Sequence, residues 1–134
     1  SEAMRLSPEA RRAQFRRGAV RARHADFLLS QGMGAALLYA SLAGADLAAV
    51  ARDLPGNVDL RMRRAAAMNL LALAQRNAGK DPELSFRHAV EVLGEVAPGD
   101  RDFVAVCLRR AWIRTQLGEW LSRSGRHRAP ASNE

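Results

Sequence analysis

Residues 58–77 read VDLRMRRAAAMNLLALAQRN, and this stretch decides the fold. Met62, Ala66, Leu70 and Leu73 recur at steps of three and four residues. That spacing stacks them on one side of an α-helix and turns Arg61, Arg64 and Gln75 away from it. The following AGKDPE ends the helix and starts another. Gly79 supplies the left-handed conformation that side chains resist, Asp81 caps the next helix, Pro82 suits its first position, and Glu83 faces the positive end of its dipole. APGDRDF repeats the device at residues 97–103, with Asp100 as cap. Residues 58–121 therefore read as three helices joined by tight turns, and helices so joined lie antiparallel, side by side.

Working outward toward the N-terminus, SPEA offers Ser7 as cap, Pro8 at the first helical position and Glu9 near the positive pole. The helix expected over 8–25 carries Arg11, Arg12, Arg16, Arg17, Arg21 and Arg23 around its cylinder. Phe15, Ala19 and Ala22 leave it only a thin apolar stripe, so it is expected to pack lightly or against a partner. Residues 27–45 form the longest uncharged run, nineteen residues. A membrane span has to be weighed there, but Ser30, Gln31, Ser41 and three glycines favour a buried central helix. Gly32 and Gly34 mark a break in it or a close approach by a neighbour. Gly44 is expected to close the element. ADLAAVARDL then gives a short helix with Leu47, Val50, Ala51 and Leu54 inward, and Asn57 caps the helix at 58.

Toward the C-terminus, a helix over 82–97 directs Phe86, Ala89, Val90, Leu93 and Ala97 to the core. The last helix, 101–123, aligns Phe103, Val106, Ile113, Leu117 and Trp120, with Val104, Leu108, Ala111 and Trp112 widening that side. The expectation is an all-α fold of about six helices, stacked hairpins or a compact bundle. Residues 7–123 form its single domain, 1–6 a disordered or tag-derived start, and 124–134 a disordered basic tail.

Composition bounds the function. At 134 residues with 48% hydrophobic content, one core can form without staples. Aromatics reach only 5%, and alanine fills the apolar quota, which favours helices over sheet. The net charge of +7 is nearly all arginine, Lys80 being the lone lysine. Arginine and alanine in this excess point to a GC-rich, bacterial genome. Cys107 alone excludes an internal disulfide, and a cytoplasmic location fits. His24, His88 and His127 form no ligand pair, so no zinc site is expected. Gly32-Met33-Gly34 is too short for a phosphate loop. No catalytic, metal or cofactor residue stands out, and a non-enzymatic protein is expected.

Three segments share a form: an apolar helix, a glycine turn, a second helix and a proline turn. They are LLYASLAGADLAAVARDLPGN, LLALAQRNAGKDPELSFRHAVEVLGEVAPGD and AWIRTQLGEWLSRSG, over about residues 35–124. Gly44, Gly79 and Gly118 fall near a common period, QLGEW resembles the glycine-then-aromatic turn of the tetratricopeptide repeat, and EVAPGD resembles its closing proline turn. The first unit has a short second helix, the second has extra residues after Gly79, and the third lacks a complete second helix. The resemblance implies a concave groove that binds a peptide or helix of another protein, as a scaffold, adaptor or chaperone does.

The residues themselves give a parallel reading. Trp112, Trp120 and Leu121, with the basic edge of Arg109, Arg110 and Arg114, lie near an end without a covering helix and are the candidate partner-binding set. The partner would carry an acidic or amphipathic segment, or be a second copy. The alternative is a nucleic-acid-binding transcriptional regulator. DLAAVARDLPGNVDLRMRRAA has the outline of a helix-turn-helix, offering Arg61, Arg63 and Arg64, with Arg12 and Arg16 as further phosphate contacts. Any arginine cluster gains functional weight when two or more line one surface.

Overall fold

The computed structural model describes residues 5–125, so most of the two segments expected to be disordered (1–6 and 124–134) lies outside what is described, although Ser124 still belongs to the last helix. Five helices follow one another: α1 (Pro8–Ser30), α2 (Ala36–Asp53), α3 (Val58–Asn77), α4 (Glu83–Leu93) and α5 (Phe103–Ser124). No strand occurs among the described residues, and none of the helices is long and apolar enough to cross a membrane.

Local chemistry explains most of the punctuation. Ser7 Oγ accepts from the Ala10 amide at 3.1 Å, and Asn57 Oδ1 accepts from the Leu60 amide at 2.9 Å, so both expected caps form. Gly79 adopts φ +76° as it ends α3. Pro82 takes the N-cap position of α4, with Asp81 Oδ1 accepting from the Glu83 amide. Asp100 accepts from the Asp102 amide at 2.8 Å instead of capping the helix itself, and α5 begins at Phe103.

The break offered at Gly32 and Gly34 occurs, and three other boundaries differ from the sequence reading. The uncharged run divides at Gly32–Gly34, its first part extending α1 to Ser30. Gly44 does not close an element, because α2 runs through it to Asp53 and absorbs the expected short helix. Gly118 likewise sits inside α5. Helix α4 stops at Leu93, where Gly94 turns the chain at φ +61°, so Ala97 is exposed in the loop instead of in the core.

Each helix packs on the next, and the odd-numbered helices also touch in the order α1, α3, α5, whereas α2 and α4 do not meet. Helix α3 is thus the centre of the molecule, and it works with three faces. Leu60, Ala67 and Ala74, seven residues apart, face the clusters built with α2. Ala65 and Ala72 face the larger cluster of Phe86, Ala89, Leu93, Val106, Ile113 and Leu117. The stripe Ala66, Leu70 and Leu73 remains half-buried and floors a groove between α1 and α5.

Helix α1 does not pack lightly. It forms the most extensive helix pair of the fold with α2, and the pairing rests on charge as well as on small residues. Asp46, 2% exposed on α2, accepts from Arg17 Nη2 at 2.9 Å, Arg17 Nε at 3.2 Å, Gln14 Nε2 at 3.3 Å and Arg21 Nη1 at 2.8 Å. Burial pushes its carboxyl up, but the hydrogen bonds from Arg17, Gln14 and Arg21 outweigh that and hold it below its ordinary value. Asp53 takes Arg11 at 3.8 Å and the Leu6 amide at 3.1 Å. Gly18 lets the backbones come together: a Cβ there would lie 3.0 Å from Asp46 Cβ and 3.1 Å from the Leu47 side chain.

Candidate binding groove

The groove over α3 has a volume of about 430 Å³. Ala19 and Ala22 of α1, Ala66, Leu70 and Leu73 of α3, and Leu47 give it apolar walls. Arg23 and Asp26 come from α1, Arg63 from α3, and Arg109 and Trp112 from α5. The two expected arginine groups, one on α3 and one on α5, thus contribute a member each to a single surface, joined by an arginine of α1. Arg23 and Arg109 have no ion-pair partner among the described residues. Arg63 pairs with Asp59 at 3.2 Å and lies 5.2 Å above the Phe15 ring. Trp112 is 55% exposed at the α5 wall.

Two amides make this more than an apolar crease. Asn69 is 7% exposed and Gln116 is 9% exposed, both lie against the groove, and Asn69 Oδ1 and Gln116 Oε1 are buried with no hydrogen-bond partner. A buried acceptor left unpaired costs about 1–3 kcal/mol, so native folds pair nearly all of them, with protein, ordered water or a ligand. Here two converge on one groove from adjoining helices. Neither was singled out from the sequence. The signal was there: Asn69 interrupts the apolar run of α3, and Gln116 sits between Ile113 and Leu117 on the inward side of α5.

The residues expected to bind a partner are divided between two faces. Trp112 and Arg109 line the groove just described. Arg114 and Leu121 line a wider cleft of about 810 Å³ between α4 and α5, with Leu84, Arg87, His88 and Leu117. Trp120 is half-buried against the main cluster, and Arg110 reaches Cys107 Sγ at 3.8 Å. The apolar residues expected to widen the core side of α5 do not do so: Val104, Leu108, Ala111 and Trp112 are all exposed.

The arginines of the helix-turn-helix outline do not gather on one face. Arg61 and Arg64 both line the α2–α3 corner, where Arg61 also donates to the Leu93 carbonyl at 3.1 Å and closes the C-terminus of α4, while Arg63 turns to Phe15. Arg12 and Arg16 line a separate crevice between α1 and the start of α3. These five share no face. No group of three or more histidine, cysteine or acidic residues that could hold a metal occurs among the described residues. His24 meets Tyr39 in a tilted contact with ring centroids 4.2 Å apart, and His88 stands exposed in the α4–α5 cleft.

No family model, curated protein or solved structure matches this chain.

Proposed function

We propose that the protein is an interaction module whose groove over α3 receives an acidic, amphipathic segment of another protein. The observation that carries the reading is the pair of unpartnered buried amides, Asn69 and Gln116, in an apolar groove rimmed by Arg23, Arg63 and Arg109. Each part answers a different feature of such a ligand. The apolar floor of Ala66, Leu70 and Leu73 covers aliphatic side chains, and the amide oxygens accept main-chain N–H groups that the segment would otherwise bury unpaired. The guanidinium forks of Arg23 and Arg109 meet carboxylates; Asp26 is the one acidic residue lining the groove, and Arg63 is shared with Asp59. Trp112 supplies a large half-exposed anchor of the type that dominates binding energy.

The test is selection from a random peptide library on the full chain, followed by fluorescence anisotropy of synthetic peptides that survive. Peptides alternating Asp or Glu with Leu or Phe should be enriched. Arg109→Glu should weaken them about tenfold or more, because a favourable charge pair becomes a repulsive one, and Trp112→Ser should do the same. No enrichment, or enrichment of peptides whose affinity ignores both substitutions, would remove the basis for this role.

A further inference from the structure

On the far side of α3 from the groove, at the corner where α2 turns into α3, a second pocket of about 300 Å³ opens. Arg52, Arg61 and Arg64 line it with Asn57, and Ala48, Ala51, Leu54, Pro55 and Leu60 make its apolar wall. No acidic side chain takes part. The carboxylates nearest in sequence are engaged elsewhere, Asp53 with Arg11 and the Leu6 amide, and Asp59 with Arg63.

Three guanidiniums converge here without a counter-charge, and their donors are not spent. Arg61 Nε and Arg64 Nε are both buried with no hydrogen-bond partner. Arg61 uses Nη1 on the Leu93 carbonyl, which fixes its position, and a Cβ at Gly94 would come within 2.8 Å of that nitrogen. Arg52 and Arg64 make no ion pair among the described residues. Desolvation also pulls the Arg64 guanidinium below its ordinary value, the behaviour of a cation buried without an anion. A buried, unpaired guanidinium donor is a costly arrangement that an arriving oxyanion relieves at once.

We infer that this corner is a binding site for a phosphomonoester bearing a short apolar substituent, with Arg52, Arg61 and Arg64 around the phosphate and Leu54 and Pro55 against the substituent. A phosphomonoester fits better than a carboxylate, since its two charges and three terminal oxygens meet three forks, whereas one carboxylate leaves most of the positive charge uncompensated. The site is separate from the peptide groove, and the two stand or fall independently.

Isothermal titration of the full chain in low-salt, phosphate-free buffer decides it, with phenyl phosphate as the probe and inorganic phosphate, acetate and diethyl phosphate as comparisons. Phenyl phosphate should bind one to one, tighter than inorganic phosphate and about tenfold or more tighter than acetate or diethyl phosphate. Arg64→Gln and Arg52→Gln should each weaken it about tenfold, while Arg16→Gln on the exposed side of α1 should not. Arg52 is exposed, so its variant keeps the test decisive if Arg64→Gln fails to fold. Absence of saturable heat, equal affinity for diethyl phosphate, or indifference to Arg52→Gln overturns the assignment. Displacement of phenyl phosphate by duplex DNA at matched phosphate concentration also overturns it, in favour of a phosphodiester backbone.

Discussion

The two ends of the helical array solve the same problem in opposite ways. At the α1–α2 seam, every strong polar group is answered: Asp46 holds four hydrogen bonds, Asp53 is paired, and Gly18 removes the last obstacle to contact. Along α5, the polar groups facing inward are left open and apolar residues face outward. Gln116 Oε1 is orphaned, Val104, Leu108 and Trp112 are exposed, and α5 touches α3 only sparsely. A satisfied seam spends its chemistry on stability, whereas under the proposed role the unsatisfied face keeps its chemistry for a ligand.

The sharpest way to break the contrast is to unbalance the seam. Asp46→Asn keeps the shape but leaves Arg17 and Arg21 facing a neutral amide. The loss should be about 2–4 kcal/mol in urea denaturation, more than for any exposed acid in the molecule. The pH dependence follows from the sign of the shift. Asp46 is held below its ordinary value in the folded state, so its contribution is present above the unfolded value of about 3.9 and fades as pH falls through the folded one. The stability gap between wild type and Asp46→Asn should therefore be constant near neutrality and close in acid below about pH 4. A gap unchanged down to pH 2 would show that the charge does not matter.

Closing the backbone approach should cost somewhat less. Gly18→Val brings branched carbons into space already bounded by Asp46 Cβ at 3.0 Å and Leu47 at 3.1 Å. The helices must separate, at about 1–3 kcal/mol, although valine is the better helix residue by propensity. Thermal denaturation would show it. A neutral or stabilising result would mean that the seam has slack.

These two positions also show what could be read in advance. Caps and turn glycines act within a few residues, so Ser7, Asn57 and Gly79 announced their roles directly. The buried charge cluster joins residues 25 to 32 positions apart, and nothing local distinguishes Arg17 and Arg21 from Arg12, Arg16 and Arg23. What hinted at it was a lone Asp46 in an otherwise uncharged stretch following an arginine-rich helix. Helix α3 misled for a different reason. Periodicity reports one apolar stripe, and Met62, Ala66, Leu70 and Leu73 gave a clear one. The tightest burial instead falls on small residues spread around the cylinder, at Ala65, Ala67 and Ala72, whose weak hydrophobic signal hides how closely helices can approach. Of that stripe, Ala66, Leu70 and Leu73 floor the groove, while Met62 packs half-buried against the main cluster.

The smallest expected change sharpens the comparison most, because its sign is unusual. Asn69→Leu removes a buried carbonyl that has no partner and puts aliphatic carbon beside Leu70, Leu73 and the space of the groove. If the amide is kept for a ligand, the free protein is less stable than it could be, and the variant should gain about 1 kcal/mol. The same variant should bind selected peptides several-fold more weakly, since the main-chain N–H that Oδ1 would accept from then becomes the unpaired group. Stability and affinity would move in opposite directions. A purely structural asparagine could not produce that pattern: its loss would lower stability, and any fall in affinity would follow from partial unfolding. Measuring the melting temperature and the anisotropy titration on one preparation separates the two cases, and a destabilised variant with unaltered affinity would make Asn69 a part of the scaffold like Asp46.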